Sequence, residues 1–359
     1  MKLKRVLIVA GGTGGHIFPA LAVAEWLRQR QVTPVWLGST RGMECTLVPA
    51  HGIELVRIAI AGIRGKGLLR LVFAPFAVAR ATLAAMIAIL KIRPGVVLGM
   101  GGFASGPGGL AAWLCRRPLV IHEQNAVPGF TNRVLRHFAT RVLAAYPGTF
   151  GGASNVQVTG NPLRADIGGI APPTHRTRPP HPLRILVLGG SLGARSLNRV
   201  VPVGVARFAA FQQVEVRHQA GEREVTSTMD AYRSEGVQGV VEPFITDMAE
   251  AYAWADIVIC RAGALTIAEV SAAGLPSILV PFPHAVDDHQ TANARYLVDR
   301  GAAVMVADAE LSAETVADAL RSIADEPVRM AEMAAHARAA AYLTATEDVA
   351  RHCLELLHD

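Results

Sequence analysis

The sequence predicts an α/β protein of two doubly wound domains with parallel sheets facing one another across a cleft, and three observations predict it. Short β-branched runs alternate with apolar helical segments, a strand, glycine-turn and helix unit occurs twice, and a Pro/Gly-rich break separates the two copies. A length of 359 residues suits two domains of ordinary size. With 51% hydrophobic and 18% charged residues, each can bury enough apolar surface to offset the entropy of ordering it, which excludes a disordered chain.

Residues 6–10, VLIVA, read as the first strand, with the turn Gly11-Gly12-Thr13-Gly14-Gly15-His16 behind it. The N-terminus begins as a signal peptide would, but its apolar core ends after five residues, so a strand of a cytosolic protein is expected. Residues 19–28 form the expected first helix, and a second strand ends near Leu37-Gly38-Ser39. Residues 96–98 and 119–121 are apolar throughout, as strands covered on both faces are, and 156–158 (VQV) is expected to be a strand of the same kind. Residues 168–182, GGIAPPTHRTRPPHP, can continue neither a helix nor a central strand and mark the domain boundary. Beyond them residues 185–188 lead into Gly189-Gly190-Ser191-Leu192-Gly193-Ala194. Strands are expected at 257–260 and 277–280, a helix at 266–273, and an Ala-rich helical stretch over 313–340.

Charge divides at the same boundary. Residues 1–165 hold 19 Lys/Arg against 4 Asp/Glu, a net +15, whereas residues 166–359 hold 16 against 25, a net −9. Four cysteines (Cys45, Cys115, Cys260, Cys353) with no CxxC pair fit a reducing compartment, without a disulfide framework or zinc site.

Residues 68–90 carry only Arg70 and Arg80 as charges, which leaves three readings open. A transmembrane helix is disfavoured by Arg80 near its middle and by Pro75. A core helix is the second reading, and a surface helix dipping its apolar side into lipid headgroups is the third. Charge favours the third: residues 55–122 contain no acid but nine cations, Arg57, Arg64, Lys66, Arg70, Arg80, Lys91, Arg93, Arg116 and Arg117. An anionic membrane surface is therefore the expected partner of the basic apolar segment near 64–93.

The first glycine loop fails two phosphate-binding patterns. Ile17 stands where GxGxxG needs its third glycine, and the second strand ends without the acid that would hold an adenosine ribose. Gly15-His16 replaces the Gly-Lys-Ser/Thr of a nucleoside triphosphatase loop. What remains is a set of backbone N–H groups ahead of a helix, suited to an anion or a polar sugar. His16, at its end, is the candidate base, since imidazole can take an alcohol proton near neutrality. His284 and His289, with Asp287 and Asp288 between them, have no recognisable metal-site spacing. In the second half, Cys260-Arg261-Ala262-Gly263-Ala264-Leu265-Thr266-Ile267-Ala268-Glu269 runs from strand through glycine turn into helix. Its helix start could hold a diphosphate without a metal, and Glu269 could accept from a ribose diol. With Ser191 in the other loop, it suggests a nucleoside diphosphate between two backbone nests.

The motifs GGTGGHIFPALAVA (11–24), GMGGFASGPGGLAA (99–112), HEQNAVPG (122–129), TGNPLR (159–164), GGSLGA (189–194), EPFITDMAEAYAWAD (242–256) and CRAGALTIAE (260–269) closely resemble one family. It is glycosyltransferase family 28, of GT-B architecture with two Rossmann-like domains, and specifically its N-acetylglucosaminyltransferases of bacterial cell-wall synthesis. The resemblance spans nearly the whole chain. It implies an inverting, metal-independent and cofactor-independent transfer of GlcNAc from UDP-GlcNAc to the 4-hydroxyl of MurNAc in undecaprenyl-diphosphate-MurNAc-pentapeptide. Residues 1–165, rejoined by a helix at about 341–359, would take the acceptor and face the membrane, while 166–340 would bind UDP-GlcNAc.

Carried over by motif, Thr13, Gly14 and Gly15 lie near the donor sugar and Asn125 contacts it. Arg164 and Ser191 lie near the donor phosphates, and Ile245 meets uracil through its backbone. Ala264, Leu265, Thr266, Ile267 and Ala268 form the helix start, Glu269 holds the ribose, and Gln290, placed by a one-residue shift, reaches the GlcNAc hydroxyls. Gly101, Gly102, Ser105 and Gly106 would form an acceptor-diphosphate site, with His16 as base. The implied location is the cytoplasmic face of the inner membrane, as a peripheral protein, with cell-wall or division proteins as possible partners and no nucleic acid. A UDP-GlcNAc 2-epimerase or another sugar transferase on this architecture, and a non-catalytic nucleotide-sugar binder at the membrane, are the alternatives.

Overall fold

The computed structural model describes residues 4–60, 68–171, 182–190 and 193–358. The chain forms two compact units, Met1–Arg164 with Leu343–Asp359, and Ala165–Tyr342.

The first unit contains β1 (Arg5–Val9), α1 (Gly14–Gln29), β2 (Thr33–Ser39), α2 (Glu44–Ala50), β3 (Glu54–Ile58), α3 (Leu68–Ile92) and β4 (Val96–Gly99). It continues with α4 (Ser105–Leu114), β5 (Leu119–Glu123), α5 (Phe130–Leu135), β6 (Arg141–Ala144) and β7 (Val156–Val158). All seven strands are parallel, in the order β3-β2-β1-β4-β5-β6-β7. The order reverses beside β1, where Val6 pairs with Pro34 on one side and Val96 on the other. The helices after β1 and β4 therefore lie on opposite faces of the sheet, and the loops into them meet beside the crevice at the strands' carboxyl ends.

Both faces of the central strands are buried, which accounts for their unbroken apolar runs, whereas β7 lies at the sheet edge with Gln157 and Val158 exposed, so the run 156–158 is a strand but not one covered on both faces. On one face α1 packs with a helix from far along the chain, α14 (Ala345–His358), whose Val349, Ala350 and Cys353 join Val6, Ile8, Leu27 and Trp36 in the core. Thr346 Oγ1 fastens its start by donating to the Leu163 carbonyl at 2.7 Å and accepting from the Leu163 N–H at 2.9 Å. On the other face α3 buries Ala85, Ala88, Ile89 and Ile92 against Leu7, Val9, Val35 and Leu37.

Thus α3 is a core helix along one stripe, although Pro75–Ile92 is long and apolar enough to cross a membrane by length and composition. Its other stripe is apolar too: Phe76, Leu83, Ile87 and Leu90 are exposed, with exposed Arg80 and Lys91 among them. Residues 64–67 of the basic segment lie outside the described residues.

The second unit contains α6 (Ala165–Gly168), β8 (Leu183–Leu188), α7 (Arg195–Ala209), β9 (Val214–Gln219), α8 (Val225–Ser234), β10 (Gly239–Glu242) and α9 (Met248–Trp254). After these come β11 (Ile257–Cys260), α10 (Ala264–Ala273), β12 (Ser277–Leu279), α11 (His289–Val298), β13 (Ala303–Met305), α12 (Ala313–Ala324) and α13 (Pro327–Ala339). Its parallel sheet runs β10-β9-β8-β11-β12-β13, so β8 and β11 flank the reversal, as β1 and β4 do in the first unit.

Two boundaries differ from the sequence reading. The first helix begins at Gly14, so His16 sits in its first turn and not in the loop. The stretch 313–340 is two helices: Glu326 is extended at φ −120°, as a residue before proline prefers, and Pro327 opens α13.

Candidate functional site

In the first unit the glycine loop after β1 and the loop after β4 lie against each other. Gly102 has φ +83°, and a Cβ there would come within 2.0 Å of the Gly11 carbonyl oxygen, so only glycine allows this approach. Ser105 Oγ donates to the carbonyls of Val9 (2.9 Å) and Gly101 (2.7 Å), tying the start of α4 to both strands. Gly101 bears directly on His16: its Cβ would lie 2.6 Å from the imidazole Nδ1. Thr13 is the N-cap of α1, its carbonyl accepting from the N–H groups of His16 and Ile17. At Gly15 and Gly106 a Cβ would meet protein atoms only at 3.8 and 3.5 Å, so these positions keep space on the crevice side. Thr13, Gly14, Gly15, His16, Gly101, Gly102, Ser105 and Gly106 are thereby brought together.

A third wall comes from the residues after β5. The buried Glu123 carboxylate accepts at Oε1 from the Asn125 N–H (3.0 Å) and Nδ2 (3.3 Å), and at Oε2 from the Gly129 N–H (3.1 Å) and Asn132 Nδ2 (2.8 Å). Those four bonds fix the loop that carries Asn125. Gln124 turns inward, with its Oε1 3.3 Å from His16 Nδ1 and its Nε2 donating to the Met100 carbonyl at 2.8 Å. His122, fully buried, donates from Nε2 to the Gly160 carbonyl at 2.9 Å. Burial, and secondarily its proximity to His16, push its pKa down to about 4 even though the Gly160 contact opposes this, so it is neutral near pH 7. Arg164 also belongs to this unit, its guanidinium over the Phe18 ring of α1. Within a unit it therefore joins the first glycine loop's helix and not the other expected phosphate ligands.

The acid missing from the end of the second strand enters from α2. Glu44, fully buried, accepts from the Ser39 N–H (3.1 Å), Ser39 Oγ (2.6 Å) and the Gly12 N–H (3.2 Å). It braces the glycine loop from beneath. The sequence reading missed Glu44 and Gln124; the second lies inside a quoted motif, but no local pattern exposes either contact.

In the second unit Ser191 lies outside the described residues. The loop around it is tied by Gln219, whose Nε2 donates to the Gly190 carbonyl (3.0 Å) and whose Oε1 accepts from the Ile245 N–H (3.1 Å). The Ile245 N–H is thus committed to Gln219. After β11, Arg261 donates to the carbonyls of Val280 and Pro281, to Asp308 and to Ser196, fixing the turn into α10. Gly263 is the N-cap, and a Cβ there would meet only Thr266 Oγ1 at 3.6 Å, again leaving room at a helix start. The first-turn N–H groups over Ala264, Leu265 and Thr266 carry the positive end of the helix dipole, with no acid in that turn to neutralise it. Such a helix start has the chemistry to accept an anion. Ile267 and Ala268 continue the helix behind it.

Glu269 is not a solvent-facing acid: it is buried, and Tyr252 on α9 donates its hydroxyl to Oε2 at 3.0 Å. The sequence reading did not assign Tyr252 this role. Gln290, in the first turn of α11, accepts at Oε1 from the Phe282 N–H (2.9 Å), which turns its NH2 group the other way. Among the described residues, no group of three or more His, Cys, Asp or Glu side chains is placed to hold a metal ion, the 284–289 cluster included.

Two domain models match the chain: the glycosyltransferase family 28 N-terminal domain over residues 6–144 and the family 28 C-terminal domain over residues 184–349. A UDP-N-acetylglucosamine–N-acetylmuramyl-(pentapeptide) pyrophosphoryl-undecaprenol N-acetylglucosamine transferase of Chromohalobacter salexigens is 54% identical over 360 aligned residues, covering 100% of this chain and 98% of that protein. The protein of that name from Marinobacter nauticus is 50% identical, covering 98% and 97%. The crystal structure of Acinetobacter baumannii MurG superposes with a TM-score of 0.85 at 40% identity, covering 98% and 99%. A putative UDP-N-acetylglucosamine 2-epimerase from Listeria monocytogenes shares the fold alone, with a TM-score of 0.62 at 15% identity.

Proposed function

The chain belongs to glycosyltransferase family 28, and from that premise we propose that it transfers GlcNAc from UDP-GlcNAc to undecaprenyl-diphosphate-MurNAc-pentapeptide. The observation that carries the reading is the 54% identity, over the full chain, to a protein named for that transfer. Epimerase chemistry has only a shared fold behind it.

The residues divide the work. His16 Nε2 removes the proton from the MurNAc 4-hydroxyl, which attacks the anomeric carbon of the α-linked donor in line and leaves a β-1,4 bond with inversion. The departing UDP gains negative charge at its diphosphate, and the first-turn N–H groups of α10 stabilise that charge without having to reorganise. Glu269, held by Tyr252, accepts from the ribose hydroxyls. The loop after β4, with Gly101, Gly102, Ser105 and Gly106, takes the acceptor diphosphate, and Asn125, Arg164 and Gln290 contribute contacts to the donor.

We further propose that the protein works at the cytoplasmic face of the inner membrane, held by the exposed stripe of α3. Exposed Phe76, Leu83, Ile87 and Leu90 beside Arg80 and Lys91 suit an anionic interface, where each cation contributes about 1 kcal/mol. A lipid-linked acceptor gives that contact its purpose, and cell-wall or division proteins could share it. The deciding experiment mixes enzyme, UDP-GlcNAc and lipid acceptor: UDP release that requires acceptor supports transfer. Sugar isomerisation without acceptor would support an epimerase, and no UDP release under any condition a non-catalytic binder.

A further inference from the structure

We propose that Gln124 is a positioning residue that fixes the tautomer of His16, holding the ring proton on Nδ1 so that Nε2 carries the basic lone pair; this rests on the reading of His16 as the base. The Met100 carbonyl can only accept, so the part of the Gln124 amide facing it at 2.8 Å is the NH2. The amide oxygen then faces His16 Nδ1 at 3.3 Å. That oxygen can only accept, so Nδ1 must donate, and the neutral ring keeps its lone pair on Nε2.

Neither partner can readily change this. Gln124 is 2% exposed, and Met100 is fully buried, so flipping the amide would set oxygen against oxygen where no water can intervene. The Gln124 backbone is fixed as well, its carbonyl accepting from Asn161 Nδ2 at 3.0 Å. The imidazole lies against the Gly101 backbone, where even a Cβ would sit 2.6 Å from Nδ1. Unconstrained neutral histidine prefers its proton on Nε2, the wrong nitrogen for a base that must act there.

An amide differs from a carboxylate in this position. It orients the ring yet adds no negative charge that would favour the imidazolium. The ionisable groups on the surrounding elements are His122 and Glu123 on β5, Glu44 on α2 and Arg164 over Phe18. Of these, Glu123 and Glu44 are committed to the donors named above, and buried His122 is uncharged near pH 7.

The test uses the full-length protein, with nitrogen-15 NMR of the His16 ring assigned by its loss in His16→Ala. In the wild type, Nδ1 should appear as the protonated nitrogen and Nε2 as the unprotonated one. Gln124→Met should move the proton toward Nε2 and lower kcat about 10-fold with the donor KM unchanged. Gln124→Glu should raise the acid limb of the pH–kcat profile by about one unit. A wild-type ring protonated on Nε2, or wild-type kcat in a folded Gln124→Met protein, would overturn the proposal even if His16→Ala is inactive. Wild-type turnover in His16→Ala would instead overturn the base reading beneath it. If Gln124→Met does not fold, the wild-type tautomer and the near-isosteric Gln124→Glu profile still decide the matter.

Discussion

Glu44 Oε2 accepts a hydrogen bond from the Gly12 N–H at 3.2 Å, so a buried carboxylate on α2 holds the glycine loop that presents His16. Its other oxygen takes the Ser39 N–H and hydroxyl. In Glu44→Gln an NH2 must face one of these donors whichever way the amide turns. Stability should fall by about 2 kcal/mol, seen as a lower urea midpoint, and kcat should fall with it. An unchanged midpoint would remove Glu44 as the brace.

His16→Ala should lower turnover about 100-fold or more while UDP-GlcNAc binding stays within severalfold. Single-turnover transfer alongside calorimetric donor binding separates the two effects. Wild-type turnover would remove His16 from the mechanism.

Glu269→Ala should raise the donor KM about 10-fold or more and leave acceptor KM unchanged, since a charged acceptor on a ribose diol is lost. Tyr252→Phe removes only the hydroxyl that orients Oε2 and should raise donor KM less. Comparing UDP-GlcNAc with its 2′-deoxyribose analogue provides the control, because Glu269→Ala should discriminate between them less than the wild type does.

Acid should destabilise both units. Burial pushes His122 down to about 4 and His218 to about 3, from an ordinary value of 6.5. Between those values the unfolded chain binds protons that the folded protein does not. Stability therefore falls as pH drops through 6.5, levelling near 4 for His122 and near 3 for His218, each contributing about 3 to 5 kcal/mol over its window. His218→Gln should flatten the dependence of the denaturation midpoint on pH below 6.5. The same slope in that variant would exclude His218 as a source.

Leu83→Glu combined with Ile87→Glu places two acids on the exposed stripe of α3 without touching its core stripe. Flotation with anionic vesicles should be lost while thermal stability and donor KM hold. Wild-type flotation should weaken with salt. Retained binding by the double variant would refute the assignment of the membrane contact to this helix.

The parts of the fold that depend on neighbouring residues were legible. A β-branched run ending in glycines gives a central strand and a helix start, and this placed β1, β8 and β11 and the loops behind them. Pro327 was visible as well, yet the Ala-rich composition around it suggested one helix where proline geometry makes two. The contacts that govern His16 were not legible, because Gln124 lies 108 residues away and meets it only when β5 pairs beside β4. Glu269 was named for its position in a motif, but its burial against Tyr252 depends on α9 folding over α10. The acid sought at the end of β2 illustrates the limit: it was absent there, while Glu44, five residues beyond Ser39, was already committed to the protein's own loop.

The place of α14 has a consequence for how the protein is made. Val349, Ala350 and Cys353 belong to the same core as Val6 and Ile8, and Thr346 anchors to Leu163. Residues 343–358 leave the ribosome only after all of 165–342 has been synthesised. The half translated first is therefore the half that must wait to be finished, the face that α1 covers lacking α14 throughout synthesis of the other unit. Vectorial folding thus runs backwards here, with the second unit able to close while the first still waits for its last helix.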